Sequence, residues 1–252
     1  PANDYLVIVY RARVMNNDAL SQTPTTQALT NAATLDYTVG GIAATQLTAS
    51  QTVSVQQPLL AVNKSASAGA DTPIVDAGEV ITYTVDIVNS GAAPAYDTVL
   101  VDTLPVGLRQ GGVSVTAVGL VNAGTSLPVL APAYNSTTGV ATWNFDNGTA
   151  DTYTIPAGDT LRVVYTVTAD TGLGAGLTLT NAAVATLYYS FDDEAIPANG
   201  SVGRREVYGP TNTANETLIT QSPNPPLKAN TQPTATIGEQ FTYTITIPAT
   251  PV

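Results

Sequence analysis

Hydrophobic and polar residues alternate one by one along three stretches of the chain. In residues 80–88, Ile81, Tyr83, Val85 and Ile87 take every second position, and threonines or an aspartate lie between them. The same alternation runs through 161–168 and 241–247. A period of two is typical of strands that bury one face and expose the other. These stretches therefore predict strands of an antiparallel sheet, each with one face on a core.

Shorter strands of the same kind are expected along the rest of the chain. They are predicted at 59–65, 98–104, 113–120, 139–145, 178–189 and 215–221. Turn segments rich in Gly, Pro, Asn and Ser separate them, and no helical period lasts longer than two turns. Many short strands at this spacing predict an all-β fold, an antiparallel Ig-like β-sandwich.

The strand pattern also repeats. LVIVYRARV (6–14) returns as LRVVYTVTA (161–169), and ALTNAATL (28–35) returns within TLTNAAVATL (178–187). PLLAVNK (58–64) returns as PPLK (225–228), and GEVITYTVDI (78–87) as GEQFTYTITI (238–247). Repetition at a fixed period of about 155–160 residues indicates an array of one module. We expect 1–58 to be the C-terminal part of one repeat, 59–222 a complete repeat, and 223–252 the N-terminal part of a third.

Composition excludes several classes of chemistry. The 252 residues contain no cysteine and no histidine, which removes disulfides, Cys/His zinc sites and Ser/His or Cys/His catalytic pairs. Only 8 Lys and Arg stand against 19 Asp and Glu, a balance that argues against binding nucleic acid or anionic membranes. No apolar run reaches membrane-spanning length, and the first residues, PANDY, do not form a signal peptide.

The ordered motifs of the complete repeat resemble a known family. Lys64, the strand and turn GEVITYTVDIVNSG (78–91), VDTLPVGL (101–108) and the closing LTNAA (179–183) are similar to the DUF11-type repeat. This is a β-sandwich module of prokaryotic surface proteins, related to the fimbrial isopeptide-forming D2 domains. The resemblance implies a structural or adhesive role at the cell surface or outside the cell, in tandem arrays, without catalysis on an external substrate.

The alternation of core-facing and solvent-facing positions along the predicted strands singles out two polar residues as candidates for chemistry. Lys64 shares a face with Leu60 and Val62, and Asn181 shares one with Leu179, so both are predicted to point into the core. A buried amine loses its proton more readily and becomes a nucleophile, while a buried neutral carboxyl can polarise an amide and move protons. Together they predict a Lys–Asn isopeptide bond, which in related domains is intramolecular and autocatalytic.

The carboxyl group that would assist the bond is assigned to Asp102, between Leu100 and Leu104 in the predicted strand. Asp97 and Asp86 are weaker choices, and Asp86 lies on the threonine face of its strand. The alternative is ordinary packing, in which Lys64 reaches solvent from a strand start and Asn181 bonds to backbone. The corresponding residues of the partial repeats are Asn31, which keeps the parity of Asn181, and Lys228, which follows Pro226 and Leu227.

Two surface features are weaker candidates. The acidic run Asp192, Asp193, Glu194 lacks the spacing of a calcium loop, so no metal site is predicted. No cofactor is expected either. Among the Asn-x-Ser/Thr sequons, Asn135 and Asn147 lie in predicted loops and are the candidate glycosylation acceptors.

Two functions remain open from the sequence. The first is a non-catalytic structural module of an extracellular filament, fimbria or stalk, whose partners are neighbouring copies of the repeat, head to tail. The second is an adhesin that binds a glycan or a protein through loops at one end of the sandwich. The candidate loops are 121–139 and 191–215, and an exposed aromatic cluster around Tyr134 or Tyr208 would favour this second function.

Overall fold

The computed structural model describes residues 7–15, 25–69, 72–146, 148, 151–193, 205–221 and 226–247. These residues form eighteen β-strands and no helix. The strands are β1 (Thr26–Leu35), β2 (Thr38–Val39), β3 (Ile42–Ala43), β4 (Leu47–Gln56), β5 (Leu60–Ala68), β6 (Ile74–Val75), β7 (Val80–Asn89), β8 (Tyr96–Thr103), β9 (Ser114–Leu120), β10 (Thr125–Leu127), β11 (Ala133–Asn135), β12 (Val140–Asn144), β13 (Thr160–Thr168), β14 (Thr178–Tyr189), β15 (Val207–Tyr208), β16 (Ala214–Thr220), β17 (Leu227–Asn230) and β18 (Tyr243–Thr246).

Twelve of these strands form two sheets between residues 60 and 220. One sheet has five strands in the order β10-β9-β13-β7-β5. The other follows the order β11-β12-β8-β14-β16-β6, and β15 pairs with β14 beside that path. All neighbours are antiparallel except β16 and β6, which are parallel. The predicted all-β, Ig-like sandwich is thereby confirmed.

The core lies between the two sheets. Buried and exposed residues alternate along the adjacent strands β7 and β13. Ile81, Tyr83, Val85 and Ile87 of β7 face the core, and so does Tyr165 of β13. From the second sheet, Leu100 and Trp143 fill the same interior. The period-two pattern of the sequence therefore reports the buried faces correctly, because alternate side chains of a strand point to opposite sides of the sheet.

The alternation of buried and exposed residues is interrupted in the second half of β14. The pairing of β14 with β8 shifts register between Ala185 and Leu187. Beyond this irregularity Tyr188 is buried, whereas Leu187, which strict alternation places inside with Asn181, is only half-buried. One extra residue in a strand reverses the face of every residue that follows it.

The segment 121–139 is more regular than a loop. It contains β10 and β11, which pair with β9 and β12 and extend each sheet at its edge. The prediction of a loop there is wrong, because β10 and β11 hydrogen-bond to neighbouring strands. Each has only three residues, too few for the alternation pattern to reveal. Of the second predicted loop, residues 194–204 lie outside the described residues.

The flanking segments contain hairpins with registers that match the domain. In the hairpin β1–β4, Asn31 pairs with Gln51, and in the domain Asn181 pairs with Glu216. In the hairpin β17–β18, Lys228 pairs with Ile245, as Lys64 pairs with Val85. These matches are what a tandem repeat requires, although the boundaries at 58 and 222 remain a prediction.

No helix among the described residues has the length and hydrophobicity needed to cross a membrane.

Truncating the core side of β7 should cost far more stability than truncating its outer side. Ile87 is fully buried and Val80, on the same strand, is 56% exposed. We expect Ile87→Ala to lower the free energy of unfolding by about 2–5 kcal/mol, because it removes buried methyl groups and leaves a cavity. Val80→Ala should change it by less than about 0.5 kcal/mol. Urea denaturation followed by Trp143 fluorescence measures both, and equal effects would contradict the sandwich.

Candidate functional site

The three residues singled out in the sequence meet between the two sheets. Lys64 lies in the middle of β5 in the first sheet, while Asp102 and Asn181 lie on β8 and β14 of the second. β8 and β14 are neighbours, and Asp102 pairs with Ala183, two residues after Asn181. All three side chains face inward because each occupies one of the alternate positions of its strand that point to the core.

None of these side chains reaches solvent. The side chains of Lys64 and Asp102 are 0% and 1% exposed, and Asn181 is fully buried. The alternative in which Lys64 extends its amine into water is therefore wrong. Instead Lys64 Nζ contacts Asp102 Oδ2 directly as an ion pair across the sheet interface.

Tyr165 on β13 joins the three residues into one network. Its hydroxyl donates to Asp102 Oδ2 at 2.8 Å and accepts from Lys64 Nζ and Asn181 Nδ2, each at 2.9 Å. Sequence reasoning placed Tyr165 on the buried face but assigned it no role. The signal was present, because the repeat copies this tyrosine as Tyr10.

Aromatic rings form the walls around the amine. The rings of Tyr83 and Tyr165 stack with centroids 5.4 Å apart, and the Trp143 ring lies 5.4 Å from that of Tyr165. Lys64 Nζ lies 4.8 Å from the Tyr83 centroid. These rings exclude water and attract the cation by their quadrupoles.

Burial shifts the ionisation of both charged partners toward the neutral form. It lowers the pKa of Lys64, and the Asp102 carboxylate opposes the shift. It raises the pKa of Asp102, opposed by the Lys64 ammonium and by the Tyr165 hydrogen bond. Burial and the negative charge of Asp102 also raise the pKa of Tyr165, which keeps its hydroxyl protonated. The site therefore favours an exchange of one proton between amine and carboxylate.

Three polar atoms in this interior make no hydrogen bond among the described residues: Asp102 Oδ1, Asn181 Oδ1 and Tyr83 Oη. Buried acceptors without a donor are costly, and two of the three belong to the carboxyl and amide groups of the predicted reaction. A proton on Asp102 would turn one of its oxygens into a donor.

The two weaker aspartates lie elsewhere. Asp86 is on the outer face, where both of its oxygens accept hydrogen bonds of 2.7 Å from Arg162. Asp97 pairs with Arg205 at the other end of β8. Neither contacts Lys64, so Asp102 is the carboxyl group that the structure brings to the amine.

Two contacts of the central site recur in the flanking segments, and we call each of these residue pairs a half-site. Asn31 Nδ2 donates to the hydroxyl of Tyr10, as Asn181 does to Tyr165. Lys228 Nζ lies 4.2 Å from the Tyr243 centroid, as Lys64 lies over Tyr83. Asn31 and Lys228 are exposed, unlike their counterparts. No Asp102 counterpart contacts either half-site among the described residues.

The glycosylation candidates are only partly described. Asn135 is exposed at the end of β11, and its side-chain oxygen accepts from the backbone of Thr137 at 3.0 Å and Thr138 at 3.2 Å. Asn147 lies outside the described residues.

One group of carboxylates has metal-like spacing. Oxygens of Asp97, Asp146 and Asp193 lie within 4.8 Å of one another. Arg205 contacts Asp97 and lies 3.2 Å from Asp193, so a guanidinium already supplies positive charge there. This cluster does not contact the buried site.

Comparison with known proteins assigns this chain to no family. No protein-family model matches the chain, and no curated protein matches it. The resemblance to the DUF11-type repeat therefore stays a prediction.

Solved structures similar to the chain include bacterial adhesin and pilin domains. The collagen-binding domain of a Staphylococcus aureus adhesin is 9% identical, covering 63% of this chain and 96% of that one with a TM-score of 0.34. The C-terminal domain of the Streptococcus pyogenes antigen I/II-family protein AspA is 13% identical, covering 80% and 56%, TM-score 0.43. The full-length major pilin SpaD of Corynebacterium diphtheriae is 13% identical, covering 73% and 46%, TM-score 0.37.

Removing the Asp102 carboxylate should be strongly destabilising, because it leaves a buried amine without its partner. We expect Asp102→Ala to cost about 3–5 kcal/mol in a chain that also carries Asn181→Ala, where no cross-link contributes. The control is Asp86→Ala in the same background. It breaks the exposed pair with Arg162 and should cost at most about 1 kcal/mol. Urea denaturation measures both, and equal costs would show that the buried pair is not structural.

Proposed function

We propose that this chain is a non-catalytic structural module of an extracellular filament, fimbria or cell-surface stalk, cross-linked within each repeat by a Lys64–Asn181 isopeptide bond. The observation that carries the proposal is the buried network of Lys64, Asp102, Tyr165 and Asn181 between the two sheets. A charged lysine and an amide in a core are costly, and a covalent bond between them removes that cost.

The reaction converts an amine and a primary amide into a secondary amide and ammonia. Lys64 transfers a proton to Asp102, and the neutral Nζ attacks Cγ of Asn181. The Nζ–Cγ bond forms, the Cγ–Nδ2 bond breaks, and Nδ2 leaves as ammonia. The neutral Asp102 carboxyl group polarises the amide during the attack, as buried acids of raised pKa do in enzymes.

The bond would join the first strand of the domain to its closing strand. It would close a loop of more than 100 residues, which by analogy with disulfides stabilises the fold by about 4–5 kcal/mol. A greater effect is mechanical. Tension applied near residues 59 and 222 would pass through the bond, so the residues between Lys64 and Asn181 would carry no load. Such a shortcut suits a module that transmits force.

The matching hairpins support an array of such modules. The half-sites Tyr10–Asn31 and Lys228–Tyr243 repeat the two sides of the central site in the same strand registers. The partners we propose are therefore neighbouring copies of the repeat, joined head to tail, at the cell surface or outside the cell.

Among the described residues, the two tyrosines that would favour the adhesin alternative are half-buried. The Tyr134 hydroxyl donates to the carbonyl of Arg109 at 2.7 Å, and Tyr208 stacks on Tyr188 with centroids 5.3 Å apart. Both rings take part in packing within the domain instead of forming an exposed binding surface.

The cross-link is testable by the mass of the intact chain. We expect the folded protein to be lighter than its sequence by one ammonia molecule. Trypsin should no longer cleave after Lys64, because the acylated amine carries no charge, and a branched peptide should contain Lys64 and Asn181. Lys64→Met should restore the full mass.

The matched control is Lys228→Met, the same substitution at the repeat-equivalent lysine. It should leave the ammonia loss unchanged, because Lys228 belongs to the other half-site. A native chain of unaltered mass would disprove the bond and return Lys64 to the role of a buried ion-pair partner.

Pulling on the two ends of the complete repeat should give a short extension. With the bond in place, residues 65–180 cannot be stretched, so unfolding should lengthen the tether by roughly 15 nm instead of roughly 55 nm, at about 3.5 Å per extended residue. Single-molecule force spectroscopy measures this length, with Lys64→Met as the control that regains the full extension. Equal extensions would argue against a force-bearing cross-link.

A further inference from the structure

We propose that the Tyr165 hydroxyl is the proton relay that delivers a proton to the departing nitrogen of Asn181. This inference rests on the proposed cross-link and assigns a catalytic group to it beyond the amine, amide and carboxyl groups. It comes from the position of one oxygen atom, which contacts the nucleophile, the acid and the leaving group at once.

The hydrogen-bonding capacity of a tyrosine hydroxyl is fully used here. A phenol has one donor and two acceptor positions. The Tyr165 hydroxyl donates to Asp102 Oδ2 and accepts from Lys64 Nζ and Asn181 Nδ2, all within 2.9 Å. Such saturation fixes the geometry of the site before any reaction takes place.

Asp102 and the leaving nitrogen are connected through this hydroxyl. Asp102 Oδ2 contacts Lys64 Nζ and the Tyr165 hydroxyl, and Asn181 Nδ2 donates to the same hydroxyl. An amide nitrogen is a poor leaving group until it is protonated. The proton held by Asp102 therefore has a path of two hydrogen bonds to the atom that needs it.

The reaction starts from the ion pair of Lys64 and Asp102. A proton passes from the Lys64 ammonium to Asp102, and the Nζ electron pair forms the bond to Cγ while the carbonyl electrons move to Oδ1. Nδ2 then becomes pyramidal and gains a lone pair. Asp102 gives its proton to the Tyr165 oxygen as the Tyr165 proton moves to Nδ2.

The collapse of the intermediate completes the transfer. The Oδ1 electrons restore the carbonyl, the Cγ–Nδ2 pair leaves with nitrogen as ammonia, and Nζ returns its extra proton to Asp102. The five hydrogens first on Nζ and Nδ2 end as one on the new amide, three on ammonia and one on Asp102. Tyr165 finishes with the hydroxyl it began with.

Tyr83 provides a matched comparison in the same cavity. Its ring stacks on that of Tyr165, yet its buried hydroxyl makes no hydrogen bond among the described residues. Tyr83 contributes a wall beside the network. Replacing either tyrosine by phenylalanine keeps the ring and removes one oxygen, and of the two only the Tyr165 oxygen is hydrogen-bonded to both Asp102 and Lys64.

The test is a time course of cross-linking during refolding. Full-length chain isolated in denaturant, with its unreacted mass verified, is diluted into buffer, and the ammonia loss is followed by mass spectrometry. In the same sample, the fluorescence of Trp143, the one tryptophan of the chain, reports folding independently of the bond. Folding and chemistry are thereby separated.

We expect Tyr165→Phe to regain the Trp143 signal and to cross-link about 100-fold more slowly, the usual loss when a general acid is removed. Tyr83→Phe should cross-link within about twofold of the unaltered chain, since its oxygen carries no proton in the reaction. If both variants cross-link at the same rate, the relay is overturned while the bond stands. If the unaltered chain never loses ammonia, the bond itself is overturned, and the relay with it.

A second measurement decides the matter even if Tyr165→Phe does not fold. The relay moves two protons in one step, so the cross-linking rate of the unaltered chain should depend on the deuterium fraction of the solvent along a curve. A linear dependence means a single proton in transit and overturns the relay.

Discussion

A lysine amine and an aspartate carboxyl group buried against each other between two sheets set the constraint on which the rest of this domain depends. Neither group can be tolerated there alone, because a charge in an apolar interior costs several kcal/mol. The two sheets must therefore pack in the one arrangement that brings β5 over β8 and β14, and the aromatic rings of Tyr83, Tyr165 and Trp143 must close around the pair. The packing of the two sheets and the proposed reaction depend on the same contact between Lys64 and Asp102.

The network combines the two properties that a self-catalysed cross-link requires. Burial drives Lys64 and Asp102 toward their neutral forms, which supplies a nucleophile and an acid without any external reagent. The strand ladders hold both groups against the Tyr165 hydroxyl, which also contacts Asn181, so the proposed reaction would need no bound substrate. The site is enclosed between the two sheets, and the proposed reaction would strengthen the fold that encloses it.

The flanking segments repeat local contacts of the buried site. The half-sites keep the strand register and the local partners, Tyr10 with Asn31 and Lys228 with Tyr243. In the central domain, Lys64 and Asn181 are buried because the two sheets pack against each other.

The sequence by itself determined the β-sandwich and the inward direction of Lys64, Asp102 and Asn181. These follow from alternation, which acts residue by residue along a strand and needs no knowledge of neighbours. Only the tertiary structure decided which strands face each other, and hence that Tyr165 lies at the junction of the three groups. It also placed the register shift in β14 that turns Tyr188 inward and the short edge strands β10 and β11. The hydrogen bonds of this network join residues 16 to 101 positions apart in the sequence. No local pattern encodes such contacts, because the free energy that selects them comes from burying two faces at once.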